Sequence, residues 1–249
     1  MSPTFHPDSP LPSARRIAVV APHPDDFDVI GITMRHFQRA GATITLGVLT
    51  SGASGVENAF EPDPAAKRRV REREQEASCA FFGLPRDQLH FLRLGEDALG
   101  HLVESKANRA RVSDFLDDRR PELVFLPHGN DPNLAHQRTF AMVADALSRR
   151  SAPATMWLNR DPKTIAMRED VYVLFDAEGA EWKRSLLRHH ASQQARNLRM
   201  RGHGFDERIL SSDAATARSA GRPGAFAEAF ELLTGGLAGR AAGTSFPAA

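Results

Sequence analysis

The 249-residue chain predicts an α/β fold: a Rossmann-like, mostly parallel sheet with helices on both faces. Three observations carry that expectation. Short apolar, β-branched runs alternate with helical stretches. The connections between successive runs are long enough for crossovers. The two loops richest in His and Asp each follow a strand, which places both at the carboxyl edge of the sheet.

Taken in order, residues 1–13 hold Pro3, Pro7, Pro10 and Pro12 and are expected to form a flexible arm. Residues 14–249 show no repeat and no linker, so they are expected to form one domain. Ile17–Ala21 is the first strand. A helix from about Val29 to Ala40 stops at Gly41, a natural C-cap. Thr43–Thr50 is β-branched and apolar, as a strand buried on both faces should be. The Ser51–Gly55 loop follows, then a long charged helix, Pro64 to Phe82, closed by Gly83. Leu89–Leu92 is a third strand, Ala107–Asp118 a helix, and Leu123–Leu126 a fourth strand ended by Pro127. After the His128–Ala135 loop a helix runs to about Ser148. Strand signals recur at Ala154–Leu158 and Val171–Phe175. The remainder has a helical pattern, with a Gly-rich tail expected to fray.

Bulk properties exclude several functions. Lys and Arg number 32 against 31 Asp and Glu, a balance with no net pull toward nucleic acid or membrane. No stretch approaches the roughly 18 apolar residues of a membrane span. The first 13 residues lack a basic start and an apolar core. The lone Cys79 excludes an internal disulfide and suits a reducing compartment, so the expected location is cytoplasmic. A nucleotide site of Rossmann type is disfavoured, because no G-x-G-x-x-G follows Val20.

The stretch A-P-H-P-D-D-F-D-V-I-G, Ala21 to Gly31, puts charge at the end of a buried strand, a costly arrangement that a metal ion would justify. Zinc in hydrolytic sites takes three protein ligands from His and carboxylates and leaves a position for water. Water there has its pKa lowered to about 7 and attacks a carbonyl with help from a general base. His23 and Asp26 stand three apart, so one turn can aim both at a single ion. Asp25 lies beside it, free to accept a proton. The alternative is that these aspartates only cap the next helix. A third ligand must come from elsewhere, and the loop from Pro127 to Gln137 offers His128, Asp131 and His136 at the same edge.

At this point the sequence resembles a known family. Pro22-His-Pro-Asp-Asp26 is similar to the opening motif of the PIG-L (LmbE-like) family of zinc-dependent N-deacetylases, metal-dependent enzymes on a Rossmann-like sheet. Thr50-Ser-Gly52 resembles the family's Thr-x-Gly loop. Arg71-Glu-Arg-Glu74, with Phe82-Gly83 after it, resembles an Arg-x-x-Glu helix ending in Leu-Gly. His190-Ala-Ser-Gln193 is similar to His-x-Ser-Gln, and Ala227-Glu-Ala-Phe230 also fits. The resemblance implies that His23, Asp26 and His136 bind Zn2+ or another divalent metal, and that Asp25 is the general base. It also implies that Arg71 contacts substrate. Gly52 and Gly55 could cradle a sugar or phosphate group.

Three positions depart from the family pattern. Phe27 replaces the glutamate that follows the two aspartates, although Asp28 supplies a carboxylate one residue later. Asn133 and Ala135 replace the first His and the Asp of His-Pro-Asp-His. Asparagine can donate to an oxyanion but cannot deliver a proton, and His128 is the candidate substitute. The expected activity is hydrolysis of an N-acyl group, chiefly acetyl, from an amino sugar or related small molecule. The competing expectation is an impaired member that keeps the metal site and binds a sugar-like ligand. The oligomeric state is left open, a homo-oligomer included.

Overall fold

The computed structural model describes residues 4–5 and 12–233. Its centre is explained by one strand. In β2 (Arg16–Ala21), Ile17, Val19 and Ala21 pack with Phe27, Phe37, Phe125 and Trp157. Ala18 and Val20 pack on the other face with Val112, Leu116 and Met142. A strand apolar on both faces must be covered on both faces. Helices α1 (Asp26–Val29), α2 (Gly31–Arg39) and α3 (Pro64–Phe82) supply residues to the first layer. Helices α4 (Lys106–Arg119) and α5 (Leu134–Ser148) supply the second.

The other strands are β1 (Thr4–Phe5), β3 (Thr43–Val48), β4 (Leu89–Phe91), β5 (Leu123–Pro127), β6 (Thr155–Asn159), β7 (Val171–Phe175) and β8 (Phe226–Leu233). Among the described residues they form one eight-stranded sheet in the order β1-β7-β8-β6-β5-β2-β3-β4. Every pairing is parallel except those of β8, which runs antiparallel to both β6 and β7. β2, β3 and β5 are neighbours, so the loops that follow them leave the sheet side by side. Helices α6 (Ala177–Leu187), α7 (Ala191–Arg201) and α8 (Phe205–Ser219) complete the molecule. No described helix is long and apolar enough to cross a membrane.

The long helix α3 has the ends its sequence calls for. Asp63 caps it by accepting the Ala65 and Ala66 N–H groups, Pro64 opens it, and Gly83 closes it at φ 85°. Within the expected arm, Thr4–Phe5 pairs with Tyr172 and Val173 of β7. One expectation is corrected. The stretch after residue 175 is not helical throughout, because Phe226–Leu233 is a strand. Ala, Glu and Leu favour helix intrinsically, but tertiary context overrides that weak preference. Here β6 and β7 both offer unpaired edges, and Ala227, Ala229 and Phe230 are buried between them. The Gly-rich tail lies outside the described residues.

Beneath β8 lies a buried charge network. Lys183 of α6, fully buried, donates to Asp213 of α8 and to Glu228 of β8, both at 2.7 Å. Glu228 also accepts the Ile32 N–H (3.1 Å), the Thr33 N–H (2.8 Å) and the Thr33 hydroxyl (2.5 Å). The carboxylate thereby satisfies free N–H groups at the start of α2 and sits where the helix dipole favours negative charge.

Candidate active site

The carboxyl end of β2 delivers Pro22 to Asp26 to the sheet edge. Thr50, just past β3, pins that turn by donating its hydroxyl to the Pro22 carbonyl at 2.7 Å. Asp25 has φ 117°, a conformation that costs a side-chain-bearing residue of order 1–3 kcal/mol and persists only where its surroundings enforce it. They do so here. Its N–H donates to Gln75 Oε1 at 3.0 Å, and its carboxylate lies 3.0 Å from Arg71 Nη2. Arg71 is 2% exposed. It also donates to the Pro24 carbonyl and, at 3.1 Å, to Glu74. It is no solvated helix charge: it fixes the turn carrying Asp25 and also lines the cavity described below. Burial raises the Asp25 pKa, Arg71 opposes the rise, and Asp26 adds to it; the net direction is up.

His23, Asp26 and His136 converge, each offering a ligand atom within 4.8 Å of the others. Asp26 Oδ2 accepts the His23 N–H at 2.8 Å and lies 3.3 Å from His23 Nδ1, while Oδ1 lies 3.6 Å from His136 Nε2. On its far side His136 Nδ1 stands 3.3 Å from Asp131 Oδ2, too poorly aligned for a hydrogen bond. The field at this point favours a cation. Burial alone would lower the His136 pKa, but Asp26, Asp131 and Asp161 outweigh it and raise the pKa to about 10. Burial likewise works against the Asp26 charge, and His136 and His23 reverse it to hold the carboxyl well below its usual range. Two imidazoles and a carboxylate are a donor set suited to zinc in hydrolytic sites, so the residues present fit a divalent metal.

Asp131 sets its carboxylate charge beside the outer nitrogen of the last of these imidazoles. Asp131→Asn is expected to weaken divalent-metal affinity about 10–100-fold, measured by competition with a chelator. Folding should be retained, since Oδ1, which accepts the Asn133 N–H at 2.7 Å, survives the change. Unaltered affinity would remove Asp131 from the metal's support.

Gly52 arches over the same turn at φ 61°. A Cβ there would lie 3.0 Å from Pro24 Cδ and 3.3 Å from Arg71 Nε. Gly52→Ala is therefore expected to cost about 1–2 kcal/mol from the left-handed backbone alone, read as a lower urea midpoint at constant m-value. A midpoint equal to wild type would show that this loop is not clamped.

Asn133 stands on the cavity wall and caps α5, its Oδ1 accepting the Ala135 N–H at 2.9 Å. That bond fixes the amide, leaving Nδ2 as the free donor. His128 is a correction. Its Nδ1 accepts the Asn130 N–H at 2.9 Å, its Nε2 lies 3.3 Å from Glu231 of β8, and it does not line the cavity. Asp28 is also placed elsewhere: fully buried, it takes His190 Nε2 at 2.5 Å and the Ser78 hydroxyl at 2.8 Å. Phe27 fills the core against Phe82, with ring centroids 5.0 Å apart.

The site opens into a cavity of about 280 Å³. His23, Asp25, Asp26, Gly52, Gly55, Arg71, Asn133 and His136 come together there. Residues that sequence reasoning missed join them from α7 and α8: Gln193, Arg196, Arg201 and Arg208. Only Gln193 had a signal, in the His190–Gln193 motif.

Comparison with known proteins bears on the family and the fold. The family model PIG-L, described as GlcNAc-PI de-N-acetylase, matches residues 18–147. No curated protein matches the sequence. Among solved structures, the N,N'-diacetylchitobiose deacetylase from Pyrococcus horikoshii superposes with a TM-score of 0.73 at 17% identity, over 91% of this chain and 86% of its own. The zinc inhibited form of teicoplanin deacetylase Orf2 gives 0.64 at 14% identity, over 88% of this chain and 98% of its own. GalB, the 4-carboxy-2-hydroxymuconate hydratase from Pseudomonas putida KT2440, gives 0.66 at 18% identity, over 88% and 96%. At such identities the likeness is one of fold, and that fold serves both a deacetylase and a hydratase.

Proposed function

The chain belongs to the PIG-L family, and on that premise we propose that it is a metal-dependent hydrolase removing an N-acyl group, acetyl first, from an amino sugar or related small molecule. The observation that carries this reading is the convergence of His23, Asp26 and His136 within 4.8 Å on the cavity wall that also presents Asp25. His23, Asp26 and His136 would hold Zn2+ or another divalent metal. When bound, such an ion supplies Lewis-acid polarisation of an amide carbonyl and acidifies water.

The chain's own groups do the rest. Asp25, fixed by Arg71 and Gln75, accepts a proton from the attacking water. Asn133 Nδ2 donates to the oxygen on which charge develops. Since asparagine has no proton to give, the proton for the departing amine comes back from the Asp25 carboxyl. The C–N bond then breaks, giving acetate and a free amine. A cytoplasmic location is part of the same reading.

The test is acetate release by the zinc-supplemented protein across a panel of N-acetylated sugars. Acetate from any member supports the reading, and its absence across the panel sinks it. The Asn133 substitution favours the second reading, a sugar-binding descendant that retains the metal. Tight sugar binding with no acetate released would select it.

A further inference from the structure

The cavity has a second chemical character. Away from the motif loops, α7, α8 and the loop after β6 give it Lys163, Arg196, Arg201 and Arg208. Among the described residues, Lys163, Arg196 and Arg201 form no ion pair. Arg208 is the most enclosed, its side chain 17% exposed; its one ion-pair contact is a long one, Asp161 at 3.9 Å, and the charges of Asp25 and Asp131 reach it from further off. That Asp161 oxygen already accepts the Lys163 N–H at 2.9 Å. Arg196 Nη1 occupies space left by Gly55, where a Cβ would lie 3.3 Å away. Glu57, the carboxylate whose charge reaches Arg196, is held by both prongs of Arg199.

Arg196 and Arg208 are half-buried in the cavity wall, and neither holds a carboxylate closely. Enclosed like charges repel and lose hydration, a cost repaid only when an anion arrives. Burial already lowers the Arg208 pKa, and Arg201 adds to the effect against the pull of Asp161. A guanidinium with free donors is the group best shaped for carboxylate or phosphate oxygens.

Resting on the deacetylase reading, we propose that the substrate is an N-acyl compound carrying a carboxylate or phosphate, bound by Arg196 and Arg208 with Lys163 and Arg201 beside them. Neutral N-acyl sugars are then the poorer substrates, and the preference is electrostatic.

The zinc-supplemented full chain is assayed with N-acetylglucosamine, N-acetylglucosamine 6-phosphate and N-acetylmuramic acid. At least one anionic sugar should exceed the neutral one about tenfold or more in kcat/KM, through KM, with an advantage that shrinks as salt rises. Whichever anion gains more identifies phosphate or carboxylate as the recognised group. R196Q and R208Q should each cut the advantage about tenfold. If R208Q does not fold, K163Q takes its place beside R196Q. Equal kcat/KM for neutral and anionic sugars overturns the proposal, as does an advantage that survives these substitutions.

If no sugar yields acetate, the deacetylase reading fails on its own account. The anion site is then decided by thermal unfolding with glucosamine 6-phosphate and muramic acid against glucosamine. Stabilisation by an anionic sugar that R196Q removes upholds the site, and stabilisation by none of the three, or by all equally, overturns it.

Discussion

Asp25→Asn is expected to lower kcat about 10²–10⁴-fold, the usual contribution of a positioned general base, while the bound metal remains at wild-type stoichiometry. Asparagine is the informative replacement for two reasons. It is among the few residues that tolerate positive φ, so the turn at φ 117° should survive. Its side-chain oxygen can still face Arg71, yet it cannot take a proton from water at neutral pH. Turnover, metal content and thermal unfolding, measured on one preparation, separate the alternatives. A large loss of turnover with metal and stability intact supports the base. Turnover within a few-fold of wild type would end the assignment, whatever the metal content.

Lys183→Met is expected to cost about 3–5 kcal/mol of stability, the range for breaking a buried pair by removing one partner. The volume change is small, so the loss is electrostatic: Asp213 and Glu228 remain side by side in the interior. Asp213 is already a raised carboxyl, pushed up to about 7 by burial and by Glu228 against the pull of Lys183. Removing Lys183 raises it further. A carboxyl whose folded pKa lies above its unfolded value near 3.9 favours folding below that unfolded value and loses the contribution as pH climbs through the folded pKa. The variant should therefore be nearest to wild type at about pH 5 and furthest from it at about pH 8, with stability read from urea unfolding at each pH. A deficit of under about 1 kcal/mol at both pH values would mean that the network contributes little.

Legibility followed sequence distance. β2, β3, β5 and β7 could be read because β-branched and aromatic residues fill them, and such runs have few other uses. β8 could not, because A-E-A-F-E-L-L is composed of helix formers and its central Glu228 resembles a solvent-facing residue. That one omission spread. His128 was a reasonable acid for the site until its partner, Glu231, proved to lie on the strand that was not foreseen. Asp28 misled for a local reason. In a helical turn residues two apart point to nearly opposite sides, so Asp26 meets His136 while Asp28 turns into the core toward His190, 162 residues away. The candidate metal residues, by contrast, lie on two loops that simple parallel topology brings together. The basic wall of the cavity left no motif, because its cations are spread over two helices and a loop, each with its own register.

The bonds from Ile32 and Thr33 to Glu228 span 196 and 195 residues. During synthesis the segment that bears His23, Asp25 and Asp26 leaves the ribosome well before the carboxylate that anchors the helix behind it. Until then the first βα unit has a strand to rest on but no clamp, and contacts of such sequence separation form slowly. A ribosome-bound chain halted short of residue 228 should hold these three side chains without their final geometry. The geometry of this turn would thus be acquired late, as a closing event of folding.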